Sequence, residues 1–330
     1  MEQPQPNPHE ISKPSPELRQ TSELPFAVEK IPVSEGVDAF KAFVDRYPDY
    51  AICPYVAYKD AEGWDKSTSR TYMNQVLPNF LYVPVNIEKN NTDELRRFFE
   101  LVEDMERVPA VNITQPHKSA PVIREMFIGD ANATENVDTL IRGSEGKLVP
   151  YDLNAPAFVS WYNDEVGSFE AKTVVLVGVG GVGEPMAKRI AAQHPSQLLL
   201  IDPADKADLA ATLGEQSTVE YHHSLGEIAD AELPEDVIVI NAAGKEGATD
   251  ESGINQLLES RASASGVFVD IRPHLKIEVV EKAKGLGWQA HTGNGMNARN
   301  DYALLTGITD NLGVQSPSFE QFEDLVAKAS

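Results

Sequence analysis

Apolar and polar positions alternate in blocks along most of this chain. Ala51–Tyr58 and Phe80–Ile87 read as short apolar strands. Downstream, Leu95, Phe98, Phe99, Val102 and Met105 recur at helical spacing behind Thr92, which stands where a helix cap is wanted. Ala110–Thr114 predicts another strand, followed by a helix from about Ser119 to Phe127. Val137–Arg142 and Lys147–Asp152, joined by Gly-Ser-Glu-Gly, predict a hairpin. A second series begins at about Ala171, with strands expected at Thr173–Val177, Gln197–Ile201, Val237–Asn241 and Gly266–Asp270 and helical patterns between them. That order predicts a parallel sheet with helices on its faces. From about Asn297 to Lys328 the pattern is helical, carried by Tyr302, Leu305, Ile308 and Leu312 and then by Phe319, Phe322, Leu325 and Val326.

The expected fold class is therefore α/β, with two domains. Residues 1–33 are polar and rich in proline, bury too little apolar surface to offset the entropy of ordering, and are expected to form a mobile tail. Residues 34–162 form the first α/β domain, 163–296 the second, and 297–330 the closing helices. The chain carries 28 Lys and Arg against 51 Asp and Glu, a formal net charge of −23. Such a field repels phosphate backbones, and no basic run compensates, so nucleic acid is not an expected partner. It also means that any anionic ligand must be held by local amides and a few cations. No apolar run reaches the length of a membrane span, and no partner membrane is expected. Cys53 stands alone, which fits a reducing compartment, and the expected location is cytoplasmic.

Thr173–Val177 runs directly into Gly178-Val-Gly180-Gly181-Val182-Gly183, and Met186, Ala187, Ile190 and Ala191 mark the following helix. Strand, glycine turn and helix in that order form a dinucleotide-binding pattern. Gly178 permits the tight turn, Gly180 lets the backbone approach a pyrophosphate, and Gly183 allows close helix–strand packing. The helix N-terminus presents amides to the phosphates. Asp202 ends the next strand, where a carboxylate accepts from ribose hydroxyls and repels a 2′-phosphate, and no arginine follows it. The expected cofactor is therefore NAD in preference to NADP, in a Rossmann-type domain.

Three segments ahead of this turn carry a family resemblance. They are Ser67-Thr-Ser69-Arg70-Thr-Tyr-Met-Asn74, Asn112-Ile-Thr114-Gln-Pro-His117-Lys118, and Asn136-Val-Asp138-Thr139-Leu-Ile-Arg142 continuing through Tyr151-Asp152-Leu-Asn154. In type and order they resemble the shikimate/quinate dehydrogenase family, over roughly Ala51 to Tyr302. The resemblance implies an N-terminal substrate domain, with Ser67 and Ser69 on a substrate carboxylate and Asn112 and Thr114 lining the site. It implies Lys118 as catalytic lysine, Asn241 and Gly295 beside the cofactor, and C-terminal helices that pack back on the substrate domain. The chemistry agrees with these residue types. Oxidising a secondary alcohol needs hydride loss to a nicotinamide and removal of the hydroxyl proton, and Lys118 can take that proton where burial or a nearby cation favours its neutral amine.

The chain also departs from the family. The family's catalytic aspartate falls at Asn154, a substrate-binding asparagine falls at Asp138, and a substrate-holding glutamine falls at Asn300. Asparagine takes no proton, so Asp138 is expected to supply the carboxylate beside Lys118, with Asp152 as its rival. Altered groups at so many positions point to a substrate related to, but not identical with, plain shikimate. The expected function is an NAD-dependent dehydrogenase for a cyclic polyhydroxy carboxylic acid, acting as monomer or homodimer. The alternatives are a catalytically inactive NAD- or metabolite-binding sensor of the same fold, or a dehydrogenase for a different substrate. No metal is implied, and His222-His223, read as lying between strands, is expected to be a solvated pair. His117 is read either as a substrate contact or as locally satisfied, Arg272 either as facing the nicotinamide side or, preferably, as a surface residue, and Trp64, Trp161 and Tyr162 as packing residues.

Overall fold

The structure is a computed structural model and describes residues 31, 33–58, 72–74, 76–129, 136–215, 217–228, 232–243, 251–261, 265–273 and 277–329. Most of the expected tail, together with Trp64, Ser67, Ser69, Arg70, Gly244 and Lys245, lies outside the described residues.

The first sheet contains β1 (Ser34–Glu35), β2 (Ala51–Ala57), β3 (Phe80–Asn86), β4 (Ala110–Ile113), β5 (Thr139–Arg142) and β6 (Leu148–Tyr151), in the order β1-β3-β2-β4-β5-β6. Its helices include α1 (Gly36–Val44), α2 (Thr92–Glu103) and α3 (Pro121–Phe127). In α2 the cap is Asn91, not Thr92: the Asn91 carbonyl accepts from the Glu94 amide, and its own amide donates to the Glu94 carboxylate. The reciprocal pair satisfies an amide that the helix itself leaves open, and it needs a glutamate three residues after the cap. The buried stripe ends at Val102, because the helix stops before Met105. Arg142 fixes that end, donating to the carbonyls of Val102, Glu103 and Met105.

The second sheet contains β7 (Thr173–Val177), β8 (Gln197–Ile201), β9 (Val219–His222), β10 (Ile238–Asn241), β11 (Val267–Asp270) and β12 (Gln289–Thr292). Every neighbouring pair is parallel, in the order β12-β11-β10-β7-β8-β9. The four expected strands are its interior, shortened by a residue at β10 and β11. The two edge strands were not expected. An edge has one neighbour and one exposed flank, so β9 and β12 carry polar, half-buried residues without an apolar run. His222 accordingly closes a strand and does not lie between strands.

Alternation along β7 sorts the sheet's two faces. Val174 and Leu176 pack with Met186, Ala187 and Ile190 of α5 (Gly183–Ala191). Val175 and Val177 pack with Ile254 and Leu258 of α7 (Glu251–Ser260) and Val280 and Ala283 of α8 (Glu278–Gly285). Between these helices in sequence runs α6 (Ala207–Leu213). Burial on both faces explains why the interior strands are continuously apolar. Trp161 and Tyr162 are packing residues as expected, with Tyr162 stacked on Phe169 at a centroid distance of 4.1 Å.

Two compact units make up the chain, interleaved in sequence. One comprises residues 1–111, 141–148 and 305–330, the other 112–140 and 149–304. In the first unit the C-terminal end of α9 (Asn294–Leu312) and the whole of α10 (Phe319–Ala329) join the N-terminal residues, and Phe322 meets Tyr72 edge-on at 6.0 Å. Among the described residues no helix is long and apolar enough to cross a membrane.

Candidate active site

Local geometry explains the glycines. Gly178 follows β7 with φ +87°, and a Cβ there would stand 2.5 Å from the Ala243 amide nitrogen. At Gly183 a Cβ would stand 1.9 Å from the Gly178 carbonyl oxygen. Both positions exclude a side chain because two backbone segments touch there. Gly180 is the opposite case: a Cβ would meet nothing within 4 Å, and the backbone is open on that side. The turn lies where the strand order reverses, between β7 with β8 on one side and β10 on the other. Open sheets of this kind bind ligands at that point, outside the carboxyl ends of the strands. α5 starts at the turn and directs its first amides toward it. These residues therefore fit a dinucleotide pyrophosphate.

Asp202 closes the turn from β8. One carboxylate oxygen accepts from the Val179 amide at 2.7 Å and the other from Ala204 at 2.8 Å. Lys206, the nearest following cation, is engaged with Glu184 at 3.4 Å. Asn241 is buried and directs its amide to Asp270 at 2.8 Å, while its carbonyl accepts from Ala243. Asp270 is fully buried and binds Arg272 through Nε and Nη2, both at 2.8 Å. Arg272 is thus a structural partner of a buried carboxylate at the strand ends, a correction to its reading as a surface residue. An isolated buried charge is too costly to leave unpaired, which the sequence pattern did not reveal. Gly295 packs on Trp161, where a Cβ would stand 1.9 Å from the indole nitrogen.

The second cluster, in the same unit, joins four sequence segments. Asp138 is 1% exposed. Its carboxylate accepts from the Leu153 amide at 3.0 and 3.1 Å, from the Asn154 amide at 3.0 Å, and from the Asn154 side-chain amide. The Asn154 carbonyl in turn accepts from the Asn300 side chain at 3.1 Å. Asp152 is half-buried, and its Oδ1 has no hydrogen-bond partner among the described residues. Burial first, then the neighbouring Asp138 carboxylate, push Asp152 from its ordinary 3.8 up to about 7, against the opposing pull of the Ala155 amide and Lys118. Lys118 sits on a single 3-10 turn, His117–Ser119, whose carbonyl at Lys118 accepts from the Val137 amide at 3.1 Å. That bond ties the lysine segment to the Asp138 segment. His117 is buried beside it.

Of the expected site residues, the structure brings Lys118, Asp138, Asn154 and Asn300 together, with Asp152 among them. Asn112 is buried within β4, and Thr114 follows the strand, its carbonyl accepting from the His117 amide. Two side chains escaped the sequence reading. Asn136 is 5% exposed, and neither polar atom of its side chain has a partner among the described residues. Its carbonyl oxygen would lie 3.1 Å from a Cβ at Gly181, and the Gln115 amide 3.3 Å from the same point. These residues flank Asp138 and Lys118 in sequence and bring that segment against the glycine turn. Neither carries a sequence signal beyond its place inside a motif.

This architecture defines an α/β protein with a Rossmann-type dinucleotide fold. The comparisons with known proteins narrow the class. No family model matches the chain. Over 92 residues it is 36% identical to an NADP(+) shikimate dehydrogenase of Lysinibacillus sphaericus, a stretch covering 27% of this chain and 33% of that one. The match thus spans about a third of the curated relative's length. The structure matches shikimate dehydrogenase from Aquifex aeolicus with a TM-score of 0.61 and 17% identity, over 84% of this chain and 97% of the other. It matches quinate dehydrogenase from Corynebacterium glutamicum, solved with NAD, with a TM-score of 0.61 and 16% identity, over 85% and 99%. Its fold is that of the shikimate and quinate dehydrogenases.

Proposed function

We propose that this protein is an NAD-dependent oxidoreductase that moves a hydride between the nicotinamide and a secondary alcohol of a cyclic polyhydroxy carboxylic acid, with Lys118 as acid/base. The observation that carries this reading is the placement of the Lys118 cluster and the glycine turn in one compact unit, joined where Gln115 and Asn136 meet Gly181. Gly178, Gly180, Gly181, Val182 and Gly183 hold the pyrophosphate, and Asp202 receives the ribose. The bound nicotinamide supplies the hydride acceptor. Lys118 Nζ removes the hydroxyl proton, and Asn300 and Asn154 orient the hydroxyls. Ser67, Ser69, Asn112 and Thr114 supply neutral contacts for the substrate carboxylate and ring. The carboxylate of Asp202, with Lys206 held by Glu184, favours NAD over NADP, although the curated relative is named for NADP(+). A buried, lone Cys53 and the lack of a membrane-length helix among the described residues support action in the cytoplasm.

The test follows nicotinamide absorbance with NAD or NADP and a panel including quinate and shikimate. Reduction of NAD by one acid, lowered about a hundredfold or more in Lys118→Ala while NAD binding persists, is the expected result. NAD binding without turnover across the panel would favour the sensor. Turnover unchanged in Lys118→Ala would remove the lysine from the mechanism.

A further inference from the structure

We propose that Asn136, assisted by Gln115, is a dinucleotide-binding residue that holds the second phosphate and the nicotinamide-side ribose where they leave the glycine turn. The proposal rests on the reading of that turn as a dinucleotide site; the state of the Asn136 side chain is independent of it.

Asn136 is 5% exposed, and both its Oδ1 and its Nδ2 are buried without a hydrogen-bond partner among the described residues. A buried amide left in this state costs free energy, and a ligand offering both an acceptor and a donor relieves that cost. The backbone just beyond it is pinned. The Val137 amide donates to the Lys118 carbonyl and the Asp138 amide to the Tyr151 carbonyl, each at 3.1 Å. The Asp138 carbonyl in turn accepts from the Ile113 amide at 2.7 Å. Asp138 also supplies the contrast. Its carboxylate is taken up by the Leu153 and Asn154 amides at the start of α4 (Asn154–Trp161). One short segment thus carries a saturated acid and a bare amide.

The bare amide faces the glycine turn. Its Oδ1 would lie 3.1 Å from a Cβ at Gly181, and the Gln115 Nε2 3.3 Å from the same point. Two side-chain amides therefore converge on one residue of the turn, and the missing side chain at Gly181 makes room for them. Gly180, the residue before, is exposed, and a Cβ there meets nothing within 4 Å. An open position and a lined one stand side by side just ahead of the α5 N-terminus. A pyrophosphate seated on the α5 amides lies at this pair of residues. The ligand then runs toward Lys118 past Gln115 and Asn136, which belong to the same two segments as Lys118 and Asp138.

The chemistry of the pair suits that part of a dinucleotide. An amide nitrogen donates to a phosphate oxygen, and an amide carbonyl accepts from a ribose hydroxyl. In a chain with a formal net charge of −23, neutral amides beside a helix N-terminus hold phosphate where further carboxylates would repel it.

The experiment measures affinities for NAD, ADP-ribose and AMP by NMR titration of the full-length protein without substrate, on wild type, Asn136→Leu, Asn136→Asp and Gln115→Ala. AMP lacks the second phosphate and the second ribose and is the internal control. Leucine keeps the volume of Asn136 and removes both polar atoms. Asn136→Leu should weaken NAD and ADP-ribose about tenfold or more and leave AMP within about twofold of wild type. Its Tm without ligand should be unchanged or raised, because an unpaired amide gives way to an apolar group. Asn136→Asp, which sets a carboxylate against the phosphate, should weaken NAD further still. Gln115→Ala should weaken NAD about threefold. Unchanged affinity for NAD and ADP-ribose in Asn136→Leu overturns the proposal, and so does an equal loss for AMP, which would mean that the turn as a whole was disturbed. A lower ligand-free Tm with NAD affinity retained also overturns it, by showing that the amide has a structural partner. If leucine is not accommodated, Asn136→Ala carries the same expectation for the three ligands. Wild type that binds neither NAD nor NADP overturns the dinucleotide reading as well, an outcome distinct from a failure confined to the variants.

Discussion

The turn at Gly178–Gly183 is shaped by what its backbone leaves no room for, whereas the cluster around Asp138 is shaped by which group donates to which. In the turn, missing side chains let β7, α5 and the residues after β10 touch. In the cluster, every member has a side chain, and the arrangement follows from directed hydrogen bonds that bring four distant segments together. A steric site tolerates almost no change at its contact points and nearly any change elsewhere. A hydrogen-bonded site tolerates changes of shape but not of polarity, because an unpaired buried donor or acceptor carries the full desolvation cost.

The sharpest test of the polar half lies at the strand ends. Arg272→Met leaves Asp270 buried and without its cation, and the expected loss of stability is about 3 kcal/mol or more, read from denaturant unfolding. A loss below about 1 kcal/mol would mean that Asn241 and the Arg272 backbone amide satisfy Asp270 alone.

The steric half is tested by a pair. Gly183→Ala forces a methyl into the Gly178 carbonyl, so it should cost about 1–3 kcal/mol of stability along with NAD binding. Gly180→Ala meets nothing, so its stability should stay within about 0.5 kcal/mol of wild type while NAD affinity falls. Equal destabilisation by the two changes would refute the steric account of the turn.

Asp138→Asn brings the comparison to the cluster itself. It replaces an acceptor with an amide that faces amide donors, and a loss of about 1–3 kcal/mol is expected by thermal or denaturant unfolding.

The remaining test is in pH. The folded-state pKa of Asp152 lies above its unfolded value, so between about pH 4 and pH 7 the folded chain holds a proton that the unfolded chain has released. This contribution is full below the unfolded pKa and is lost as pH rises through the folded one. Asp152→Asn should therefore gain Tm relative to wild type between pH 5 and pH 8, and a constant difference in Tm would exclude the shift.

The two regions also differ in how well they could be read in advance. The glycine turn, its flanking strand and helix, and Asp202 were legible because each depends on residues adjacent in sequence or one strand apart. The interior strands β7, β8, β10 and β11 were legible for a related reason: burial on both faces demands an unbroken apolar run. The edge strands β9 and β12 were not, since one exposed flank removes that demand. At the cap of α2, Thr92 matched the residue type, but Asn91 had the glutamate at the required distance.

The sequence by itself determined the parallel α/β class and the position of the glycine turn, and it singled out Asp138, Asn154 and Asn300, which folding links by hydrogen bonds. Only the tertiary structure decided that Arg272 neutralises a buried Asp270, that Asn136 and Gln115 meet the turn at Gly181, and that Asp138 is filled with amide donors while Asp152 keeps an oxygen unpartnered. The reason is physical. Apolar periodicity and glycine sterics act over a few residues and leave their mark on local sequence. The direction of a hydrogen bond and the cost of a buried charge depend on neighbours that the chain brings close only by folding.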